Sequence, residues 1–240
     1  QTLVYAPKIV AIFISLLIFL PMMGALMSAF MRQIAARIDA CAPADQIPLA
    51  SVDPADAVAG VAEDYITRVA AYRTRTDPSQ VRVVLTAMHG VGGETATRVL
   101  SRAGVDDVHV VAEQFAPDPD FSTVPFPNPE EPGALDLSLV LAKSSDADVV
   151  IALDPDADRC AVAIPSRTGS WRQLSGDELG AVLGEQAAAD GARSGDTLAC
   201  SIVSSRLLAR IAEHHGLTHR STLTGFKWIA RTPGLRFGYE

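Results

Sequence analysis

The sequence has 240 residues, with 28 acidic and 20 basic side chains and a net charge of −8 at pH 7. This length allows one or two domains, and the acidic balance argues against nucleic acid and anionic membrane surfaces as partners. Cys41, Cys160 and Cys200 are far apart and show neither pairing nor metal-site spacing. Such cysteines are typical of reduced thiols in a cytoplasmic protein and favour that interpretation over a disulfide framework.

An uncharged apolar run extends from Ile9 to Phe30, between Lys8 and Arg32. It reaches the ~20 residues that a membrane-spanning helix needs, and membrane helices tolerate a proline such as Pro21. A signal peptide is disfavoured because no small-x-small cleavage site follows the long apolar core. Three interpretations remain: a membrane anchor, a fused or misassembled segment, and a buried helix. Membrane anchoring is therefore the alternative to a cytoplasmic location.

The next stretch, Met31 to Arg73, is predicted to be helical around a loop from Pro43 to Pro54. Apolar side chains recur at helical spacing, as at Val61 and Tyr65, with charged residues between them. The sequence Thr76-Asp77-Pro78-Ser79 then indicates a linker.

A glycine-rich turn, Met88-His89-Gly90-Val91-Gly92-Gly93, joins a predicted strand (Val81 to Leu85) to a predicted helix (Glu94 to Ala103). Two interpretations of this turn stay open. It could cradle a phosphate, because a helix N-terminus presents free N–H groups. It could equally be a turn that needs glycine for a positive φ.

Strands and helices continue to alternate after this turn. The sequence predicts a strand at Val108 to Ala112, an irregular ordered loop at Pro117 to Pro132, a helix at Leu135 to Ala142 and a strand at Val149 to Leu153. This alternation predicts an α/β layered sheet.

The acidic loop Asp154-Pro155-Asp156-Ala157-Asp158-Arg159 separates that strand from a second apolar run, Cys160 to Ile164. Three carboxylates at alternate positions converge when such a loop curls, and their mutual repulsion is unfavourable. A hard divalent cation with oxygen ligands relieves it, and Mg²⁺ is the usual occupant. The sequence therefore predicts a magnesium site on Asp154, Asp156 and Asp158, with Arg159 beside it as a phosphate-binding fork.

Other interpretations of the acidic loop fit less well. An EF-hand loop starting at Asp154 needs Gly at its sixth position and Glu at its twelfth, where Arg159 and Pro165 stand. A carboxylate can act as a nucleophile, but a third Asp at the next alternate position favours a metal cage. A solvated acidic turn is disfavoured because buried strands flank the loop on both sides.

The C-terminal part repeats the alternation. Ser175 and Glu178 are predicted to form a capping box at the start of a helix from Gly176 to Gly191. Thr224-Gly225 is predicted to be a turn. Between them the sequence predicts a strand at Leu198 to Val203, a helix at Arg206 to His215 capped by Ser204 or Ser205, and a strand at Leu217 to Leu223.

Several of these motifs together resemble one family. The loop Asp154 to Arg159 resembles the metal loop of the α-D-phosphohexomutases, the phosphoglucomutase and phosphomannomutase group. Met88 to Gly93 is similar to the glycine-rich loop that opens the family's second domain. Further similar motifs follow the family's order and make the likeness specific over roughly Ile34 to Glu240. They are Glu113-Gln114 with Pro117 to Phe121 and Phe126 to Glu130, as in the phosphoglucomutase-2 and phosphopentomutase-like branch, then Ser175 to Glu178, Thr224 to Trp228 and Gly238 to Glu240.

The resemblance implies α/β/α layered domains: one complete domain, parts of two others and a hydrophobic N-terminal segment. The expected bounds are 1–32 for a segment unrelated to the family, 33–78 for the tail of domain 1 and a linker, 79–193 for domain 2 with the metal loop, and 194–240 for a truncated domain 3. Since the family has nothing similar to residues 1–32, the fused or misassembled segment is the favoured interpretation there.

The resemblance also implies an isomerase, a phospho-sugar mutase. Such an enzyme moves a phosphoryl group between the 1-position and the 6- or 5-position of a glucose, mannose or pentose phosphate, through a phosphoserine and a sugar bisphosphate. The implied cofactor is Mg²⁺ on Asp154, Asp156 and Asp158. The implied substrate contacts are Asp158, Arg159, Thr224, Gly225 and Glu240. His89 is a candidate proton carrier for which a structural hydrogen bond is favoured, and Lys227 is a candidate phosphate contact or a solvated lysine.

The family's phosphorylated serine stands in a Ser-His-Asn-Pro setting, and that tetrapeptide does not occur in this sequence. The catalytic role is therefore transferred to no serine here, and we expect these 240 residues alone not to turn over substrate. The alternative function is a non-catalytic magnesium- and sugar-phosphate-binding module, tethered to a membrane if the apolar run is an anchor. A phosphatase with an Asp nucleophile is disfavoured because nothing supplies its lysine and second acidic pair.

Overall fold

The computed structural model describes residues 28–41, Gln46, 60–73 and 80–240. The chain divides into two units, Gln1–Ala59 and Gly60–Glu240. In the first unit, residues 28–39 are helical (α1). Most of the apolar run (residues 9–27), all of the loop from 43 to 54 except Gln46, and the linker at 76–79 lie outside the described residues. Within the described ranges, no helix combines the length and apolarity needed to cross a bilayer.

The second unit contains a five-stranded sheet in the order β2-β1-β3-β4-β5. The first three strands in this order are parallel, and β4 and β5 are antiparallel additions at one side. Three helices and a short 3₁₀ turn at Ala112–Gln114 accompany this sheet. The bounds are β1 Val83–Thr86, β2 Val108–Val110, β3 Val149–Leu153, β4 Cys160–Pro165, β5 Trp171–Gln173, α2 Val61–Ala70, α3 Gly92–Arg102 and α4 Asp136–Ser144.

The core of the first sheet lies where α4 packs on β1 and β3. Val84 and Val150, on adjacent parallel strands, are fully buried together with Met88. Full burial of such side chains contributes roughly 1.5–3 kcal/mol each, so the centre of this sheet is rigid. The acidic loop leaves the sheet at the end of β3, directly above this core.

A second sheet of three parallel strands has the order β7-β6-β8. Its core contains the fully buried Leu198 and Leu208, with Phe237 packed against them. The predicted capping box is confirmed, since the Glu178 N–H donates to Ser175 Oγ (3.2 Å) and the Ser175 N–H donates to the Glu178 carboxylate (2.9 Å). The bounds are α5 Gly176–Ala189, β6 Thr197–Ser201, α6 Leu207–His214, β7 Thr218–Thr222, α7 Phe226–Ile229 and β8 Leu235–Tyr239.

The structure differs from the sequence prediction at several elements. Strands β5 and β8 and the one-turn helix α7 were not predicted, because they are short and carry no clear period. The predicted serine cap of α6 is replaced by Arg206 at the N-cap, although Ser205 Oγ still accepts the Leu207 N–H (3.3 Å).

Helix packing bears on the domain bounds. Helix α2 packs on α3 of the first sheet, and Glu63 on α2 forms an ion pair with Arg98 on α3. Helix α5 packs on α6 and β8 of the second sheet. The bounds expected from the sequence, at 78/79 and 193/194, instead place α2 with the tail of domain 1 and α5 with the first sheet. We propose 60–174 and 175–240 as the two domains, because each helix then lies in the same domain as the elements on which it packs.

The predicted irregular loop at Pro117 to Pro132 is ordered by hydrogen bonds to Asp118. The Asp120 and Ser122 N–H groups and the Ser122 hydroxyl donate to its carboxylate. The Ser122 hydroxyl and these two backbone donors lower the pKa of Asp118 from 3.8 to about 2. A carboxylate stabilised in this way favours the folded state only while it is ionised.

We therefore expect Asp118→Asn to lower the melting temperature at pH 7. The difference from the wild type should persist down to about pH 4 and disappear as the pH falls toward 2, since the folded pKa lies below the ordinary one. Thermal unfolding followed by circular dichroism at pH 7, 4 and 2 measures this. Asp120→Asn, in the same loop, is the control. An equal fall in melting temperature for Asp120→Asn would contradict the interpretation. So would a difference between Asp118→Asn and the wild type that persists unchanged at pH 2.

Candidate metal centre and cleft

The acidic loop forms the tip of the β3–β4 hairpin, where Leu153 pairs with Cys160. It curls because Ala157 adopts a left-handed conformation (φ 60°) and donates its N–H to the Asp154 carbonyl (3.0 Å). Carboxylate oxygens of Asp154, Asp156 and Asp158 then lie within 4.8 Å of one another. Asp154 is fully buried and the other two are exposed, so the cluster opens to solvent on one side.

Arg159 lies against this cluster. Its backbone N–H donates to Asp154 Oδ1 (2.9 Å), and its Nε (2.9 Å) and Nη2 (2.7 Å) contact Asp154 Oδ2. Its Nε is also 3.4 Å from Asp158 Oδ1. The guanidinium predicted to bind phosphate is therefore also the internal counter-ion of the carboxylates, while its side chain remains 56% exposed.

The loop electrostatics suit a cation. Burial alone would raise the pKa of the Asp154 carboxyl, but the backbone N–H and side chain of Arg159 outweigh burial and hold it below its usual range. Burial and the negative charges of Asp154 and Asp156 raise the pKa of Asp158. A pKa raised by like charge shows that the site gains from added positive charge. Clustered carboxylate oxygens are the donor set that Mg²⁺ prefers, so these residues fit the ion.

The glycine-rich turn packs directly beneath the acidic loop. The Val91 N–H donates to the Pro155 carbonyl (2.9 Å). A Cβ on Gly90 would overlap the Pro155 backbone, and one on Gly92 would lie 2.7 Å from Ala157 Cβ. The positive φ angles of this turn belong to Met88 (46°) and His89 (63°) rather than to a glycine. Gly90 and Gly92 are therefore needed for close approach to the acidic loop, not for their φ angles.

His89 is turned toward the loop that contains Asp118. It is only 5% exposed, and its Nε2 is 2.8 Å from Thr123 Oγ1. Its Nδ1 is 3.8 Å from Asp118 Oδ2. These contacts suit the favoured structural hydrogen bond, and a proton-carrier role for His89 stays a prediction.

A cleft of about 290 Å³ lies between the two sheets of the second unit. It is lined by Asp158 and Arg159 of the acidic loop and by Glu240, which follows β8. Sequence analysis predicted all three as substrate contacts, and the fold brings them to one cavity. The rest of the lining is polar at Asn128 and Glu130 and apolar at Leu179, Leu183, Phe226 and Phe237.

The other predicted contact residues, Thr224, Gly225 and Lys227, are not among the residues that line this cleft. The Gly225 N–H donates to the Glu240 carboxylate, which ties the Thr224-Gly225 turn to the end of β8. Lys227 Nζ lies 5.7 Å from the centre of the Trp228 ring and does not line the cleft. Thr224 is exposed and does not line it either.

The side chain of Cys160 is exposed and lines the cleft, although the residue was expected to begin a buried strand. It stands at the solvent end of β4, where burial begins only at the next residue. Sequence reasoning also missed Asn128 and Glu130 as cleft residues. Their one available signal was the Phe126 to Glu130 motif, because no local pattern shows which loop residues face a distant helix.

Two α/β sheets with an acidic loop at the end of a buried strand, facing a cleft, define a class of α/β domains suited to hold a divalent cation there. Comparison with known proteins identifies the family. The profile of phosphoglucomutase/phosphomannomutase alpha/beta/alpha domain II matches residues 63–167, and that of domain III matches residues 175–240. The chain belongs to the phosphoglucomutase/phosphomannomutase family, and the resemblance found in the sequence is confirmed.

Relatives and a solved structure agree with this assignment. The chain is 47% identical over 180 residues to a Haemophilus influenzae protein named "Probable phosphomannomutase", covering 75% of this chain and 37% of that one. It is 41% identical over 183 residues to the phosphopentomutase of Mus musculus, covering 71% of this chain and 30% of that one. A family protein from Burkholderia thailandensis superimposes with a TM-score of 0.56 at 25% identity, covering 69% and 33%. The chain thus spans about a third of the length of these relatives.

Proposed function

We propose that the protein is a phospho-sugar mutase, which moves a phosphoryl group between two oxygens of one hexose or pentose phosphate. One observation carries the proposal: the carboxylate cluster reaches, through Asp158, the cleft that Arg159 and Glu240 also line. The names of the relatives, which include a phosphomannomutase and a phosphopentomutase, support the same substrate class.

Asp154, Asp156 and Asp158 would hold the Mg²⁺ ion. When bound, the ion supplies positive charge to neutralise the phosphoryl oxygens during transfer. The protein's share of the work is positioning, since phosphoryl transfer requires little covalent chemistry from side chains. The rigid core beneath β3 and the tight packing of Gly90 under Pro155 hold the loop for this purpose.

Arg159 is suited to hold the phosphate of the substrate. It presents a planar fork of donors that matches phosphate geometry, and its exposed face lines the cleft. Because its other face contacts Asp154 and Asp158, a phosphate bound there lies beside the carboxylate cluster. The guanidinium thus connects the metal-binding loop to the substrate.

Glu240 is suited to accept hydrogen bonds from sugar hydroxyl groups. Its carboxylate is oriented by the Gly225 N–H, so the Thr224-Gly225 turn acts on the sugar through Glu240. The cleft volume of about 290 Å³ is close to the lower end of the ~300–1,000 Å³ typical of small-ligand pockets, which suits a single sugar phosphate.

The transfer itself would follow the family pattern. A serine-borne phosphate passes to a free hydroxyl of the sugar phosphate to give a bisphosphate, and the serine then takes back the other phosphoryl group. In each half, one P–O bond breaks and one forms, and the hydroxyl proton passes to the departing oxygen, so no water is consumed. We assign the phosphoserine to none of the serines in these 240 residues.

A product assay tests this function. The complete reading frame that contains residues 60–240 is incubated with Mg²⁺, glucose, mannose or ribose 1-phosphate and the matching bisphosphate, and ³¹P NMR follows the phosphate position. We expect the 6- or 5-phosphate to form without inorganic phosphate, and chelation of Mg²⁺ to stop the reaction. Release of inorganic phosphate would show a phosphatase. Binding without turnover would show the non-catalytic binding module.

A further inference from the structure

We propose that Asp177 and Tyr239 form a positioning pair that holds Glu240 at the cleft. This inference rests on the proposed function, in which Glu240 contacts the sugar. Both residues lie in motifs noted in the sequence, Ser175 to Glu178 and Gly238 to Glu240, but neither was assigned a role there, and neither belongs to the metal loop.

Tyr239 ends β8, and Glu240 follows it directly. The Tyr239 hydroxyl donates to Asp177 Oδ1 (2.8 Å), and the side chain is almost fully buried. Burial, with a contribution from the Asp177 carboxylate, raises the pKa of Tyr239 to about 12. The phenol is therefore a hydrogen-bond donor throughout the physiological range.

The ring of Tyr239 lies directly on the backbone of α5. A Cβ on Gly180 would be 2.5 Å from the ring carbons Cγ and Cδ2, so no larger residue fits at that position. Asp177 and Gly180 are three residues apart and therefore lie on the same face of the helix. One face of α5 thus fixes both the ring and the hydroxyl group of Tyr239.

Asp177 also binds the loop between β6 and α6. Its Oδ1 accepts the Ser205 N–H (2.7 Å) from the loop between β6 and α6. One carboxylate oxygen near the N-terminus of α5 thereby joins the helix, the β6–α6 loop and the end of β8. Tyr239 is thus held at two points: its ring lies against Gly180, and its hydroxyl group donates to Asp177.

Glu240 is then held from both sides. Its backbone follows the anchored Tyr239, and its carboxylate accepts the Gly225 N–H. Loss of the Tyr239 hydroxyl would weaken the first constraint, leaving the ring contact with α5 and the strand pairing, and would thereby loosen the second. The carboxylate cluster belongs to the other sheet and would be unaffected. The pair should therefore influence sugar binding without influencing metal binding.

The test uses Tyr239→Phe and Asp177→Ala in the complete reading frame. We expect KM for the sugar phosphate to rise about tenfold, since a buried polar group loses its partner. We expect kcat and the Mg²⁺ affinity to change less than about threefold. Asp177→Asn keeps an oxygen acceptor for both donors and should restore most of the KM, whereas Asp190→Ala, at the exposed end of the same helix, is the control.

Hydrogen exchange at the Gly225 amide separates this inference from the proposed function. We expect that amide to exchange faster in Tyr239→Phe than in the wild type, whether or not the wild type turns over sugar phosphate. If the wild type turns over sugar phosphate, and both variants show the wild-type KM and the wild-type exchange rate at Gly225, the positioning pair alone is overturned. Absence of turnover in the wild type would overturn the mutase, and the exchange rates would still decide the pair.

Discussion

Asp156→Asn in the complete reading frame is expected to reduce kcat/KM by about a thousandfold. Asp156 is an exposed member of the carboxylate cluster, so its replacement removes one metal ligand without opening a cavity in the core. A metal ion contributes several kcal/mol of transition-state stabilisation, and about 4 kcal/mol corresponds to roughly three powers of ten in rate. Steady-state turnover of the sugar 1-phosphate at saturating Mg²⁺ measures the effect.

Two controls accompany this variant. Asp120→Asn removes an exposed carboxylate from the loop of Asp118 and should leave turnover within about twofold of the wild type. Cys160→Ser should also be mild, because the exposed cysteine exchanges one small polar side chain for another. Wild-type turnover in Asp156→Asn would exclude the residue as a metal ligand in this mechanism.

Gly90→Ala is expected to lower the free energy of unfolding by about 3 kcal/mol, near the upper end of the usual cost of overpacking. The added methyl group would overlap the Pro155 backbone, which unlike a flexible side chain cannot rotate away. If the unit Gly60–Glu240 unfolds as one, the corresponding fall in melting temperature is roughly 6–12 °C. Because Pro155 lies between two of the carboxylates, the same change should weaken Mg²⁺ binding. Thermal unfolding and a Mg²⁺ titration of the same sample measure both effects.

Gly176→Ala is the matched control for that substitution. A Cβ there would meet only Glu130 Oε1 at 3.7 Å, and Ala is favoured over Gly in the first turn of a helix. We expect unchanged or slightly raised stability. Equal stability of Gly90→Ala and Gly176→Ala would show that the glycine-rich turn does not support the acidic loop.

The carboxylate cluster could be predicted from sequence because its members are local. Alternate positions in one short loop between two apolar runs leave few arrangements, and Asp154, Asp156 and Asp158 do converge. The capping box of Ser175 and Glu178 was predictable for the same reason, since both partners lie within one helical turn.

Contacts between distant residues could not be predicted in this way. The Gly225 amide and Glu240 are fifteen residues apart, and Tyr239 and Asp177 are sixty-two apart. Only the packing of α5 on β8 brings the second pair together. The double role of Arg159 was also hidden, because its position in the sequence shows that it is near the carboxylates but not which oxygen it contacts.

The close approach of Gly90 to Pro155 gives a further example. The sequence suggested either a phosphate cradle or a positive φ for the glycine-rich turn. The structure places the positive φ angles on Met88 and His89, although non-glycine residues adopt positive φ uncommonly. The demand for glycine comes from a backbone segment more than sixty residues later in the chain.

Divalent-cation binding tests the central claim most directly, namely that the loop from Asp154 to Arg159 is a metal centre. Mg²⁺ calorimetry and Mn²⁺ relaxation are compared for the wild type and for the double variant Asp156→Asn/Asp158→Asn, which keeps the buried Asp154 and its contacts with Arg159. We predict one site in the wild type, and loss of most of its affinity in the double variant with an unchanged melting temperature. Equal binding by the two proteins would contradict the assignment of the metal to these carboxylates.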